Sequence, residues 1–135
     1  MPQADINYLA VLVAGLSSMV VGAIWYAKPL FGNAWMRLEG MTEEKAKQKM
    51  GVSYSGMFIL ALVLAYVLAH FVDYTNATTI GAGMTTGFWL WLGFVFTTKG
   101  ASYLFGQKSM KLFFIDVGYH LVEILVMGAI LASWT

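Results

Sequence analysis

Four long apolar segments constrain this chain more than any other feature of its sequence. Each approaches the ~20 residues that an α-helix needs to cross a hydrocarbon core of ~30 Å. Lipid does not tolerate unpaired backbone amides, and the segments are too long and too continuously apolar for the alternating strands of a barrel. The sequence therefore predicts four transmembrane helices, at about residues 6–27, 52–72, 79–96 and 112–134.

The composition agrees with this prediction and excludes several kinds of protein. Of the 135 residues, 59% are hydrophobic and 11% are charged, whereas soluble domains have about 25% charged residues. We expect one all-α integral membrane domain over residues 1–135, with the lipid bilayer as its partner. The chain has no cysteine and a net charge of +1, which argues against thiolate metal sites and against binding of nucleic acid.

The positions of the basic residues predict the orientation of the helices. All eight lie in two connections, residues 28–51 and 97–111, and the N-terminus, the turn after the second span and the C-terminus contain none. Positive residues favour the cytoplasmic side of a membrane. Both basic connections are therefore expected in the cytoplasm, and both termini outside.

The first basic connection contains a further helical pattern, MTEEKAKQKMG. Thr42 is placed as an N-cap, acidic residues follow in the first turn, and Gly51 is expected to end the helix. This pattern predicts a short amphipathic helix at the cytoplasmic surface, between the first and second spans. Its Lys45, Lys47 and Lys49 either contact anionic lipid or form a solvated face.

Two similar heptapeptides follow the first and the third span. LFGNAWM at 30–36 and LFGQKSM at 104–110 share Leu, Phe, Gly and Met in register. One interpretation is a parallel duplication of two hairpins. The other is independent use of Leu and Phe to seat two interfacial turns, with Gly at the bend.

Small residues at four-residue spacing predict where the helices approach each other. Gly83 and Gly87 form a GxxxG pair in the third span, and Ala61, Ala65 and Ala69 form a stripe in the second. Such patches permit close packing where lipid offers no hydrophobic drive between helices. They serve either contacts within one bundle or the interface of a homodimer.

Three ionisable residues, Asp116, His120 and Glu123, lie within the fourth apolar segment. Their spacing places them on one face of a helix, with Glu123 about 16 Å deep, near the midplane. A lone carboxylate there is costly, so it should face the bundle interior, bind a proton or pair with a partner. His120 is within reach of both carboxylates.

Hydroxyl groups on two other spans lie at a similar depth and are candidate partners of Glu123. They belong to Ser17, Ser18, Thr85 and Thr86. The polar stripe predicts a proton relay or a site for an ion or substrate. The alternative is a satisfied polar cluster that only sets the register and rotation of the helices.

Metal, cofactor and enzyme motifs are not found in the sequence. His70 and His120 differ too much in depth to bind one metal ion or haem within a protomer, and cysteine ligands are absent. No nucleophile elbow, metalloprotease motif, phosphate loop or dinucleotide fingerprint occurs. We therefore expect no metal, no cofactor and no enzymatic activity.

Three stretches, GAIWYAKPLFGNAWM, GFWLWLGFVFTT and IDVGYHLVEILVMGAIL, resemble an uncharacterised family of small bacterial membrane proteins with four spans, a domain of unknown function. The resemblance covers nearly the whole chain. Its most specific features are the Trp-Tyr pair at 25–26, the LFG turn at 30–32 and the Gly-Tyr-His motif at 118–120. It implies a helical protein of the bacterial inner membrane without implying an activity, and it adds Tyr119 to the candidate site.

The sequence supports two main hypotheses of function. In the first, the polar stripe of the fourth helix serves proton-coupled movement of a small solute or ion, with a homodimer providing the pathway. In the second, the protein is a structural or accessory membrane protein that docks to a partner through its helix faces. A membrane enzyme using His120 and Asp116 as an acid–base pair ranks third, because no nucleophile or cofactor site accompanies them.

Overall fold

In the described part of the chain, helices are the only regular secondary structure. The computed structural model describes residues 3–48 and 50–134. Four helices in it are long and apolar enough to cross a membrane, which confirms the prediction of an all-helical chain with four helices suited to a membrane. They are α1 (Tyr8–Trp25), α4 (Met50–Tyr74), the continuous helix Ile80–Phe105 and α7 (Met110–Ser133), and the short helices α2 (Asn33–Glu39) and α3 (Glu43–Gln48) follow α1.

The third long helix extends beyond the end predicted from the sequence. It consists of α5 (Ile80–Leu90), a π-helical segment (Trp91–Phe96) and α6 (Thr97–Phe105), whereas the prediction ended the span at residue 96. The polar residues after the π segment do not break the helix. The Thr97 hydroxyl, for example, donates to the carbonyl of Gly93 at 2.7 Å, and a hydroxyl satisfied in this way is compatible with a helix interior.

The connection between the first two spans contains more structure than predicted. The chain bends at Leu30, whose backbone (φ −104°, ψ −108°) is not helical, and then forms α2. The expected α3 is present, and the Thr42 hydroxyl accepts the amide of Lys45 at 3.2 Å, as predicted for an N-cap. The prediction that Gly51 ends this helix is wrong, because Gly51 lies inside α4 with open space around it. Lys49 lies outside the described residues.

α7 is the central helix of the bundle. Half of its apolar window is buried, compared with 17–28% for the other three long helices. α5 packs on it backbone to backbone: a Cβ added to Gly83 would lie 2.0 Å from the carbonyl oxygen of Gly128, and one added to Gly87 would lie 2.8 Å from the Ile124 side chain. The predicted GxxxG pair is therefore used within the bundle.

α4 packs along only one half of its length. Its predicted stripe of Ala61, Ala65 and Ala69 is buried in the apolar core. By contrast, none of residues 51–60 is buried, and Val52 is 83% exposed. The second half of α4 therefore joins the bundle, and the first half is left uncovered.

The two termini lie at the same end of the bundle, which we call the terminal end. The Asn7 side chain donates to the carbonyl of Trp134 at 3.1 Å, and the Asp5 amide donates to the Asp73 carboxylate at 3.1 Å. These bonds join the beginning of the chain to its last turn and to the end of α4. The connections rich in Lys and Arg lie at the opposite end, the basic end, since each long helix crosses the bundle once.

The two LFG sequences have different local structures at the basic end. The first lies at the bend before α2, where a Cβ on Gly32 would be 2.3 Å from the carbonyl oxygen of Tyr26. The second closes α6, with Gly106 as the C-cap. Phe105 of the second sequence is 92% exposed, as an interfacial anchor would be. A duplication of hairpins stays a prediction.

Candidate functional site on the fourth span

α7 directs a row of polar side chains into the bundle, towards α1. Asp116, Tyr119 and Glu123 follow one another at spacings of three and four, and none is more than 8% exposed. Ser18 of α1, which is 1% exposed, lies against this row. At 1.5 Å per residue, Glu123 is about 20 Å from the beginning of α7 and about 15 Å from its end, so its carboxylate lies near the middle of the span.

Three donors bind the Glu123 carboxylate. Oε2 accepts the hydroxyl of Ser18 and the phenol of Tyr119, the latter at 3.0 Å. Oε1 lies 2.8 Å from Nδ1 of His120. The Tyr119 and Ser18 hydroxyls are also 3.1 Å apart, so the two donors lie side by side at the same carboxylate oxygen. This arrangement offsets much of the cost of burying a carboxylate.

His120 is the partly exposed member of the site, with 24% of its side chain accessible. The sequence left open whether it pairs with Asp116 or with Glu123, and the structure pairs it with Glu123. When Glu123 is ionised, Nδ1 carries the hydrogen that joins them. The second ring nitrogen, Nε2, forms no hydrogen bond to any of the described residues.

Asp116 is bound by two tyrosines that the sequence analysis did not assign to the site. The phenol of Tyr26 donates to Oδ1 at 2.7 Å, and the phenol of Tyr103 donates to Oδ2. Burial, followed by the hydrogen bond to Asp116, raises the pKa of Tyr26, so its phenol stays protonated and remains a donor. Because Tyr26 directly follows α1 and Tyr103 belongs to α6, this carboxylate joins three segments of the chain.

Two tryptophans bind the backbone of α7 on either side of Asp116. The indole of Trp25 donates to the carbonyl of Ile115 at 3.0 Å, and that of Trp91 donates to the carbonyl of Val117 at 2.9 Å. Trp91 is the first residue of the π segment, a local change of helix register that is frequent at functional sites. The two indoles together restrict the rotation and the sliding of α7.

The two carboxylate sites are in contact through their tyrosines. The rings of Tyr26 and Tyr119 meet edge to face, with centroids 5.4 Å apart. We call the whole arrangement the polar cluster; it consists of Ser18, Tyr26, Tyr103, Asp116, Tyr119, His120 and Glu123. Within the described part of the chain, every buried side-chain nitrogen or oxygen has a hydrogen-bond partner, so the cluster is internally satisfied.

Three of the four hydroxyls expected near Glu123 bond elsewhere. They donate to backbone carbonyls of their own helices: Ser17 to Ala14 at 2.6 Å, Thr85 to Gly81 at 2.8 Å and Thr86 to Ala82 at 3.0 Å. Among the predicted hydroxyls, Ser18 alone reaches the carboxylate. The prediction used depth along the span, and depth does not determine which side of a helix a residue occupies, since neighbouring residues differ by about 100°.

His70 is separate from the polar cluster. Its Nδ1 lies 2.8 Å from the carbonyl oxygen of Tyr66, and its ring packs edge-on against the Tyr66 ring. Across residues 3–48 and 50–134, no three His, Asp or Glu side chains lie close enough together to hold a metal ion.

These features define a class of protein: an all-helical protein with four helices suited to a membrane, built around a polar cluster on its last helix. The chain belongs to the family described as "Protein of unknown function (DUF1761)", whose model matches residues 9–132. The resemblance to an uncharacterised family is thereby confirmed. No curated protein and no solved structure matches the chain.

Proposed function

We propose that this protein is a multi-pass protein of the bacterial inner membrane that binds a proton at the His120–Glu123 pair and couples this to movement of a small solute or ion. The observation that carries the proposal is Glu123, a carboxylate near the middle of a span, bound by Ser18, Tyr119 and His120. An ionisable group at such depth is costly and is a functional-site candidate by default.

The pair provides two states that differ in charge. With Glu123 ionised and His120 neutral, the pair carries one negative charge; after one proton has bound, it is a neutral ion pair. In a medium of low dielectric constant this change alters the electrostatic free energy of the bundle interior substantially. A proton can therefore favour one arrangement of the helices over another, which is the requirement for coupling.

The proposed orientation places both termini outside and the connections 28–51 and 97–111 in the cytoplasm. Its support is the distribution of Lys and Arg, all of which occur in those two connections. The bonds from Asn7 to Trp134 and from Asp5 to Asp73 agree with a common location of the termini. The short helix α3 would then lie at the cytoplasmic surface.

We also propose that the protein acts as a homodimer. Four spans packed around a satisfied polar cluster leave little room for a solute, whereas two copies provide a pathway between them. The GxxxG pair is not available for this contact, because α7 covers it. The exposed apolar residues of the long helices are the remaining surface for a second copy.

Proteoliposomes under a pH gradient test the proposal. We expect proton flux in the wild-type protein and a loss of at least about tenfold in Glu123→Gln, which keeps the size of the side chain and cannot ionise. His70→Gln is the matched control, since His70 lies apart from the cluster; its flux should equal that of the wild type.

Retained helicity by circular dichroism would exclude unfolding of Glu123→Gln as the cause of its loss. Equal proton flux in the wild type, in Glu123→Gln and in empty liposomes would refute the proposal. If the wild type shows proton flux, solute candidates should be screened for uptake that depends on the imposed gradient, with Glu123→Gln as the reference.

One observation favours the alternative, an accessory membrane protein that docks to a partner through its helix faces. Residues 51–60 of α4 present an uncovered helix surface within the span. This alternative predicts that Glu123→Gln preserves the cellular function, whereas Gly56→Leu abolishes it, since Gly56 has open space around its Cα. The transport proposal predicts the opposite sensitivity at Glu123.

A further inference from the structure

Both carboxylates of the polar cluster are buried, whereas the side chain of His120 is 24% exposed. We infer that a proton enters the cluster at Nε2 of His120, from the side of the bundle next to residues 51–60 of α4, and that Asp116 is a positioning residue outside the proton route. This inference rests on the proposed function and specifies its entry site.

Asp116 is closed to water by two phenols. Each of its oxygens accepts one hydrogen bond, from Tyr26 or from Tyr103, and the carboxylate and the Tyr103 ring are both at most 8% exposed. A proton arriving from the basic end would meet these two phenols before it reached either oxygen. The two indole bonds to the backbone beside Asp116 hold α7 in place around this carboxylate. These contacts are those of a group that fixes helix positions.

Glu123 is closed in the same way. It is 3% exposed, and its two oxygens accept from Ser18, Tyr119 and His120. Direct protonation would break one of these bonds or compete with it. The carboxylate is therefore stabilised as an acceptor, and the proton it balances belongs on a neighbouring group.

His120 offers an acceptor that needs no bond to be broken. Its Nδ1 faces Glu123, and its Nε2 has no hydrogen-bond partner within the described residues. A hydronium ion can transfer its proton to the Nε2 lone pair, leaving water and an imidazolium that keeps its bond to Glu123. One positive charge is gained beside one negative charge, so the products balance.

The exposure of His120 has a cause in the packing of α4. On α7 the ring lies between Tyr119, which faces α1, and Ile124, which faces α5. Leu131 of α7 shares a pocket at the terminal end with residues 69 and 72 of α4. Counting about eleven residues from these positions towards the basic end, on both helices, places His120 at the same level as residues 58–61 of α4. The buried part of α4 ends at this level. The exposed part of the ring therefore lies on the side of the bundle next to the uncovered half of α4.

Few other titratable residues lie on the helices that surround His120. α5 contains no titratable residue, and the titratable residues of α4 other than tyrosines are His70 and Asp73, both near the terminal end. The polar group that α1 places here is Ser18, and Tyr119 belongs to α7 itself. Asp116, about one turn away on α7, is held by its phenols. Among the described residues, the His120–Glu123 pair is thus the ionisable pair on this side of the bundle.

Diethyl pyrocarbonate, which acylates a deprotonated and accessible imidazole nitrogen, tests the access without requiring transport. In a His70→Gln background of the full chain in proteoliposomes, we expect modification of His120, measured by mass spectrometry. Asp116→Asn and Tyr103→Phe should leave its rate within about twofold, since neither residue lies on the route. An unreactive His120 in the folded protein that becomes reactive after unfolding would overturn the inference.

Proton flux then separates the entry site from the proposed function. His120→Ala should lose at least about tenfold of the flux, and added imidazole should restore part of it, because a small base can take the place of the missing ring. Asp116→Asn, in which His120 is intact, should gain no flux from imidazole, since a positioning residue does not carry the proton. Restoration of flux by imidazole in Asp116→Asn would place Asp116 on the route and refute the inference. A reactive His120 in a wild-type protein without flux would refute the proposed function and leave the access intact.

Discussion

The contact between α5 and α7 gives a stability prediction whose size follows from the structure. The perturbation is Gly83→Ala. The added methyl carbon would lie 2.0 Å from the carbonyl oxygen of Gly128 and 2.6 Å from Cβ of Ala132, whereas ordinary contact begins at 3.4 Å. The first of these atoms belongs to the backbone of a helix, so the clash cannot be relieved by a change of rotamer.

The two helices must therefore separate locally, by roughly 1 Å or more, to accommodate the methyl group. Overpacking of this kind typically costs about 1–3 kcal/mol, and the fixed backbone atom places Gly83→Ala at the upper end, about 3 kcal/mol. Gly81→Ala is the matched control in the same helix, because a Cβ there meets nothing within 4 Å. Its free energy of unfolding should be unchanged, or higher by up to about 1 kcal/mol, since alanine favours a helix over glycine.

Unfolding of both variants in mixed detergent micelles, followed by far-ultraviolet circular dichroism, measures the difference in the free energy of unfolding. We expect Gly83→Ala to lie about 3 kcal/mol below Gly81→Ala. Equal stabilities of the two variants would refute the reasoning, because they would mean that the backbone contact with Gly128 does not contribute to the packing of α5 on α7.

Two further predictions concern the polar cluster and the orientation. Tyr26→Phe and Tyr103→Phe should each lower the free energy of unfolding by about 1–3 kcal/mol, because each leaves an oxygen of Asp116 without its donor. The double variant should lose more than the sum of the two, since both phenols bind one carboxylate. A purely additive double variant, or an equal loss in the exposed control Tyr54→Phe, would contradict this. Because the chain has no cysteine, a membrane-impermeant thiol reagent should label Thr78→Cys in intact cells and Gln48→Cys only after lysis, and the reverse pattern would contradict the orientation.

The helical class and the number of long helices could be predicted because they depend on the chain's continuous apolarity alone. A run of about 20 apolar residues has few alternatives in lipid. The end of the third helix could not be predicted in this way. The sequence becomes more polar at Thr97. The Thr97 hydroxyl nevertheless donates to the carbonyl of Gly93, and the helix continues through Lys99. Hydropathy measures transfer to lipid, and it does not measure whether a polar group is satisfied within its own helix.

The site was predicted in its location and incompletely in its contacts. Spacing on one helix was sufficient to place Asp116, His120 and Glu123 on a common face. The partners of those residues depend on how the other helices are rotated about their axes. The spacing of residues along one helix carries no information about that rotation. Tyr103 illustrates the difficulty: it lies past the expected end of the third span, so its phenol was not considered as a partner of Asp116.

The one-sided packing of α4 has a mechanical consequence. Its buried stripe lies in the half nearest the terminal end, where the Asp5 amide also holds Asp73. None of residues 51–60 in the opposite half is buried, whereas α5 and α7 touch through their backbones at Gly83 and Gly128. We therefore expect α5 and α7 to resist displacement against each other. The first half of α4 should move more easily, because the buried contacts of this helix lie towards the terminal end.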